Sequence, residues 1–327
     1  MIKWLYYLWN MGCEALKNSI LADIILGLVV LVWGATFVVV QNAIGLLPPN
    51  TFNAVRFMVA SLFLIVIMTL FFRNAWSTIS WRLIGAGAFL GVWLFGGYAF
   101  QTVGLLYTTP SKAGFITGLS VVLVPLLAFL LLKQRVKLPA VFGVVLAACG
   151  LYLLTLKGAL TINLGDLLVF GCTICFALQI VFTGKYAPHY SAFLLAIVQL
   201  LTVSVLSFSY AFCFENWHLA FDIGTMAKPE VAWGLFVTAI PGTALAFLAQ
   251  TTLQKKTSPT RVALIYSLEP VFAALTSYLW INEILTGPQL VGCALILSGM
   301  ILAELPINAW VKQWKGPRTG RPEKRSA

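Results

Sequence analysis

Polar positions are sparse along this chain, and they fall between long runs of apolar residues. A helical run of about 20 apolar residues matches the ~30 Å hydrocarbon core of a bilayer. Ten such runs are legible, at about 21–43, 51–72, 82–105, 110–132, 138–156, 164–186, 190–213, 231–253, 260–281 and 287–305. Each predicts a helix that is apolar on all sides, unlike the one-sided stripe of a helix on a soluble core. The connections are short, and the longest, around Glu215 to Glu230, joins the seventh run to the eighth. Ahead of the first run, Trp4 to Trp9 is too short for a signal sequence and no small-residue cleavage site follows. Its aromatics and lysines predict an interfacial segment over residues 1–19.

Composition strengthens this picture. Hydrophobic residues make up 60% of the 327 and charged residues 9%, where a soluble domain carries about 25% charged. The expected class is an all-α integral membrane protein. A net charge of +11 would otherwise suggest nucleic acid as a partner. Here the basic residues are spread between the apolar runs and cluster only in the tail, so they record orientation instead. With the amino terminus in the cytoplasm, seventeen Lys and Arg lie inside, only Lys112, Lys157 and Lys228 lie outside, and Arg56 remains within a run. The expectation is that both termini are cytoplasmic. The tail, 307–327, is basic and rich in Gly and Pro, which predicts a disordered segment held by anionic lipid.

Six cysteines are scattered, and Cys172-x-x-Cys175 has no second pair or nearby histidine to complete a metal site. They are read as small packing residues, with no disulfide, metal or cofactor expected.

The chain also matches itself. A shift of 149 residues places Gln101-Thr102 on Gln250-Thr251, Thr109-Pro110 on Ser258-Pro259, Pro139 on Pro288, Gly143 on Gly292 and Gly150 on Gly299. A shift of 143 places Asp23 on Asp166. The predicted halves are 20–157 and 158–306, with five runs each. An odd number of crossings turns the second copy upside down, so the expected architecture is ten helices in a five-plus-five inverted repeat. Such repeats build secondary transporters that expose a central site to each side in turn. Thr109-Pro110 and Ser258-Pro259 read as N-cap and first-turn signals. The paired glycines read as helix-packing positions.

Ten runs, a five-plus-five duplication, Trp33-Gly34 in the first run, Arg56 in the second and Leu268-Glu269-Pro270 in the ninth together resemble the drug/metabolite transporter superfamily, EamA-type branch. The resemblance spans about residues 20–305. It implies a bacterial inner-membrane carrier, often an exporter of amino acids or related small metabolites. It also implies a central cavity lined by the first, third, fourth, sixth, eighth and ninth runs. Substrate and oligomeric state are left open by it.

Glu269 leads the candidate residues. A charge near the bilayer centre costs about 2.5–3.5 kcal/mol on insertion scales, so this acid should face a cavity or a partner. Away from water a carboxyl prefers its neutral form, which suits a proton carrier; the alternative is a structural acid bonded to a neighbouring helix. Arg56 either snorkels to the outer surface or holds a substrate carboxylate. Gln101, Gln179 and Gln250 offer amides, and Trp33, Tyr98, Phe115, Phe176 and Tyr266 offer aromatic surface. Together they suit an amphipathic small solute. Pro125, Pro241 and Pro270 are the candidate helix breaks. Two other classes fit the sequence less well. A nucleotide-sugar or other phosphorylated-metabolite antiporter would need several cations, and the runs offer chiefly Arg56. A membrane-embedded enzyme lacks G-x-S-x-G and H-E-x-x-H, and G-x-x-x-x-G-K-[ST] is absent as well, so no catalytic residue is assigned.

Overall fold

The computed structural model describes residues 19–134, 136, 138–154, 163–281 and 286–304. Residues 1–18 of the expected interfacial segment, Cys13 among them, the basic tail, and Arg135, Lys137 and Lys157 lie outside the described residues. Among those described, the chain is helical throughout. The main helices are α1 (Ser19–Ile44), α2 (Pro49–Phe71), α3 (Trp81–Gly104), α4 (Pro110–Gly118), α5 (Ser120–Leu132), α6 (Leu138–Leu154) and α7 (Leu164–Tyr186). They continue with α8 (Ala192–Phe214), α9 (Pro229–Ala239), α10 (Ala246–Leu253), α11 (Pro259–Tyr266), α12 (Glu269–Ile281) and α13 (Gly287–Glu304). A π-helical turn, Ile240–Leu245, joins α9 to α10.

Seven helical stretches among the described residues are long and apolar enough to cross a membrane, and Leu138–Leu153 and Leu290–Gly299 are shorter apolar helices. Their outward faces carry Leu62, Val66, Phe129, Leu130 and Phe142, all exposed. In water that surface would drive aggregation; against lipid it is the solvated face.

The punctuation read from the sequence acts locally as expected. Thr109 Oγ1 accepts from the Lys112 backbone N–H at 3.3 Å, and Ser258 Oγ accepts from that of Arg261 at 3.3 Å. Each cap is followed by a proline in the first turn, where the missing N–H costs nothing. Asn163 and Asp166 form a reciprocal capping box at the start of α7.

Small residues set the helix spacing. A β-carbon on Gly150 would meet the Gly292 carbonyl oxygen at 2.5 Å, and one on Gly299 would meet that of Gly143 at 2.6 Å. The contact between α6 and α13 is thus made reciprocally by glycines that the 149-residue shift superposes. Gly104 and Gly165 pack α3 on α7 in the same reciprocal way: a β-carbon on either would lie 3.1 or 2.7 Å, respectively, from the other's carbonyl oxygen. Gly87 and Gly91 seat α3 against Val198 and Thr202 of α8.

The breaks fall where the cavity is. α4 gives way to α5 at Leu119, and α11 gives way to α12 at Ser267 and Leu268. Leu119 and Leu268 are equivalent under the same 149-residue shift. Each break tightens locally, with Leu119 N–H bonded to the Ile116 oxygen at 3.1 Å and Leu268 N–H to the Ile265 oxygen at 3.1 Å, the three-residue spacing of a 3₁₀ turn. This corrects the proline reading in part. Pro125 sits inside the continuous α5. Pro270 is the second residue of a new helix, α12, where proline is tolerated. Pro241 does mark a departure from α-helix, as part of the π-helical turn.

Candidate functional site

A space lies among helices from both the first and the second half of the chain. It holds about 700 Å³ of empty volume, its open mouth included. Its walls come from α1, α3, α4, α5, α7, α10 and α11, with Arg56 of α2 and Glu269 at the head of α12. Nine of the ten residues singled out from the sequence border it: Glu269, Trp33, Tyr98, Gln101, Phe176, Gln179, Gln250, Tyr266 and Arg56. The tenth, Phe115, turns away and packs, half-buried, beside the core that includes Val29 and Val121.

Helix periodicity explains the residues that sequence reasoning did not single out. Thr36 and Val40 share a face with Trp33, at spacings of three and seven residues. Leu94 and Leu105 share one with Tyr98 and Gln101, Ile180 with Phe176, and Phe247 with Gln250. Extending each candidate by i±3, i±4 and i±7 would have found them. Thr117 and Ser120 border the cavity on either side of the α4–α5 break.

Arg56 does not snorkel to the surface. It is 3% exposed, and its guanidinium carbon lies 4.8 Å from the Tyr98 ring centroid and 5.4 Å from that of Phe57. Its Nε donates to Thr243 Oγ1 at 2.8 Å. A desolvated cation against two rings gains about 2 kcal/mol or more from the ring quadrupoles. Thr243 belongs to the π-helical turn, and so does Gly242, whose carbonyl accepts the Trp33 indole N–H at 2.7 Å. The widened turn thus supplies the polar groups that hold both a cation and an indole at the cavity wall.

Around Trp33 the rings form a continuous lining. Its centroid is 5.0 Å from that of Tyr266, edge to face, and 5.6 Å from that of Phe247. Tyr98 lies 5.1 Å from Phe176 and 6.2 Å from Phe247. Opposite-edge contacts at these distances are favourable and fix ring orientation.

The amides form a ladder. Gln250 Nε2 donates to Gln179 Oε1 at 3.0 Å and to Gln254 Oε1 at 3.1 Å, while Gln179 Nε2 donates to Gln199 Oε1 at 3.2 Å. Gln199 closes the run on Thr251 Oγ1 at 3.2 Å. Gln101 Nε2 donates to Thr117 Oγ1 at 3.3 Å. Two buried polar atoms at the cavity find no partner among the described residues, Gln250 Oε1 and Tyr266 Oη. Leaving such atoms unsatisfied costs about 1–3 kcal/mol each, a cost that a bound polar ligand would remove.

Glu269 completes the site. It is 9% exposed and lies where α1 comes closest to α12. A β-carbon on Gly34 would be only 2.8 Å from the Glu269 carbonyl oxygen, so the Trp33-Gly34 pair serves both contact and lining. The site therefore presents an acid, a cation, two unpartnered hydrogen-bonding atoms and an aromatic wall.

The family model described as the EamA-like transporter family matches residues 20–156 and again 163–305. An Archaeoglobus fulgidus protein named "Uncharacterized transporter" is 37% identical over 296 residues, covering 90% of this chain and 89% of its own. "Protein PecM" of Dickeya dadantii is 27% identical, covering 84% of this chain and 89% of its own. A Salmonella typhimurium protein named "Probable amino-acid metabolite efflux pump" is 24% identical, covering 84% of this chain and 92% of its own. A solved crystal structure superposes with a TM-score of 0.72 at 20% identity, covering 88% of this chain and 98% of that one; at that identity the likeness is one of fold.

Proposed function

The chain belongs to the EamA-like transporter family, and on that premise we propose that it is a secondary exporter of amino acids or related small amphipathic metabolites. It is a multi-pass membrane protein. In this reading ten helices form a five-plus-five inverted repeat, with both termini in the cytoplasm of a bacterial inner membrane, and the cavity opens to each side in turn. Two matches to one family model, in successive stretches of similar length, support the duplication.

The observation that carries the substrate class is the pairing of Arg56 and Glu269 on one aromatic-walled cavity. A buried guanidinium selects a carboxylate, and a buried carboxylate selects an ammonium or a proton. Trp33, Phe176 and Phe247 then take the apolar part of the solute. Glu269 would move the proton that drives export, since a carboxyl in so dry a place changes charge only when something compensates it. A phosphorylated substrate fits less well, because among the described residues Arg56 is the one cation at the wall.

The test is uptake into liposomes holding the purified protein, without ATP, under an imposed proton gradient. Wild type should accumulate labelled amphipathic amino acids. Glu269→Gln should lose gradient-driven accumulation while retaining solute exchange. Unchanged accumulation with an unchanged pH profile in Glu269→Gln would refute the proton-carrier role. No movement of any amino acid by wild type would refute the substrate class.

A further inference from the structure

Two ion pairs stand at opposite ends of the bundle, and both join one half of the chain to the other. Near the start of α1, Asp23 takes both Nε and Nη2 of Arg261, in the first turn of α11, with Nε to Oδ1 at 3.0 Å. In the first turn of α7, Asp166 faces Lys112, in the first turn of α4, with Nζ to Oδ2 at 3.6 Å. Asp166 is further held by the Thr108 hydroxyl at 2.6 Å and the Asn163 backbone N–H at 3.1 Å. The far end of α1 reaches toward this second pair, where Gln41 Nε2 donates to the Leu105 oxygen.

The internal repeat relates the two pairs. The shift of 143 carries Asp23 to Asp166, and the shift of 149 carries Lys112 to Arg261. Each acid opens the first helix of its half, and each base opens the fourth helix of the other half.

The cavity sits midway. Trp33 is ten residues beyond Asp23, and Phe176 is ten beyond Asp166. Glu269 is eight residues beyond Arg261, and Ser120 is eight beyond Lys112. At 1.5 Å per residue each pair stands about 12–15 Å from the lining, one toward each face. Three of the four side chains are part-exposed, 24% and 25% for Arg261 and Asp23 and 36% for Lys112, while Asp166 is buried, its side chain 10% exposed. At such exposure an ion pair biases an equilibrium by only about 2- to 5-fold. That is too weak for a permanent staple and suits a contact made and broken in each cycle.

We propose that Asp23–Arg261 and Lys112–Asp166 are the latches of two gates, one at each mouth of the central cavity. Opening to one face breaks the pair at that face while the other stays formed. This rests on the alternating-access reading above. It adds to it the residues that hold each mouth shut, and a reason for their spacing in the repeat.

The test follows access to the cavity and needs no substrate. Ser120→Cys places a thiol at the lining of the full-length protein in membranes. A membrane-impermeant maleimide is applied from each face in turn, and labelling without Ser120→Cys is subtracted for the native cysteines. Asp23→Asn should raise the labelling rate about 2- to 5-fold from the Asp23 face alone, and Asp166→Asn from the opposite face alone. The double exchange Asp23→Arg with Arg261→Asp should return labelling toward its starting rate, which a merely unfolded protein would not do. Unchanged labelling, or a rise from both faces that the exchange does not reverse, would overturn the latches. A protein that moves no amino acid in liposomes yet shows sided labelling would refute the substrate class and leave the latches standing.

Discussion

Alanine at Gly34 tests whether the close approach of α1 to α12 builds the cavity. A β-carbon there would lie 2.8 Å from the Glu269 oxygen, 2.9 Å from the Ala273 nitrogen and 2.9 Å from the Phe272 β-carbon. Ordinary carbon contacts settle at about 3.5–4.0 Å, so the two helices must part by roughly 0.6–1 Å. All three atoms are backbone or β-carbon, and no rotamer change relieves them. Overpacking of this kind costs about 1–3 kcal/mol, against a gain of about 1 kcal/mol for alanine over glycine within a helix. Gly27 supplies the control, because it lies on the same helix with nothing within 4 Å of its β-position. Gly27→Ala should therefore show the propensity gain alone. The difference between the two variants, about 1–3 kcal/mol, isolates the packing cost. Thermal unfolding of the detergent-purified proteins should place Gly34→Ala below Gly27→Ala. Because parting the helices also moves Trp33 from Glu269, transport should fall in Gly34→Ala and hold in Gly27→Ala. Equal unfolding temperatures and equal transport would refute the reasoning.

Three further outcomes follow from the same contacts. Trp33→Phe removes the donor to the Gly242 carbonyl and should lower stability by about 0.5–1.5 kcal/mol, the net worth of one hydrogen bond; a melting temperature equal to wild type would dismiss that bond. Gly150→Ala and Gly299→Ala should each destabilise the protein, since their β-carbons meet backbone oxygens at 2.5 and 2.6 Å across the α6–α13 contact; tolerance of either, seen by size-exclusion and thermal unfolding, would argue against the reciprocal packing. In the connection before α9, Asp222 is held below its usual carboxylate value by the Thr225 hydroxyl and backbone N–H, at 2.6 and 2.9 Å. A depressed acid stabilises its turn above the ordinary carboxylate value and loses that effect as pH falls through the lowered one. The protection factors of the Ile223–Met226 amides, exchange rates taken relative to the intrinsic rate at each pH, should fall on acidification, and Asp222→Asn should remove that response.

Much of the site was legible because a membrane chain tolerates few polar residues, and each intramembrane one stands out against an apolar background. Glu269, Arg56 and the glutamines were visible for that reason. The residues read less well were apolar ones. Phe115 resembles Phe176 in sequence, yet one joins the packed core and the other the cavity, because facing depends on how a helix is turned. Arg56 could be placed in a helix but not in depth; the Tyr98 ring and the bond to Thr243 come from two other helical segments.

By itself the sequence determined the membrane class, the approximate positions of the helices, the caps at Thr109 and Ser258, and the residues that recur at a 149-residue offset. Each of these depends on local composition or on residues recurring at a fixed offset. Only the tertiary structure decided that the breaks fall at Leu119 and Leu268 and that Pro241 opens a π-helical turn with two hydrogen-bonding duties. It also decided that Asp23 and Asp166 meet bases from opposite halves. Those facts depend on contacts between residues as much as 238 positions apart, which no local pattern encodes and which the close approach of glycine-faced helices brings about.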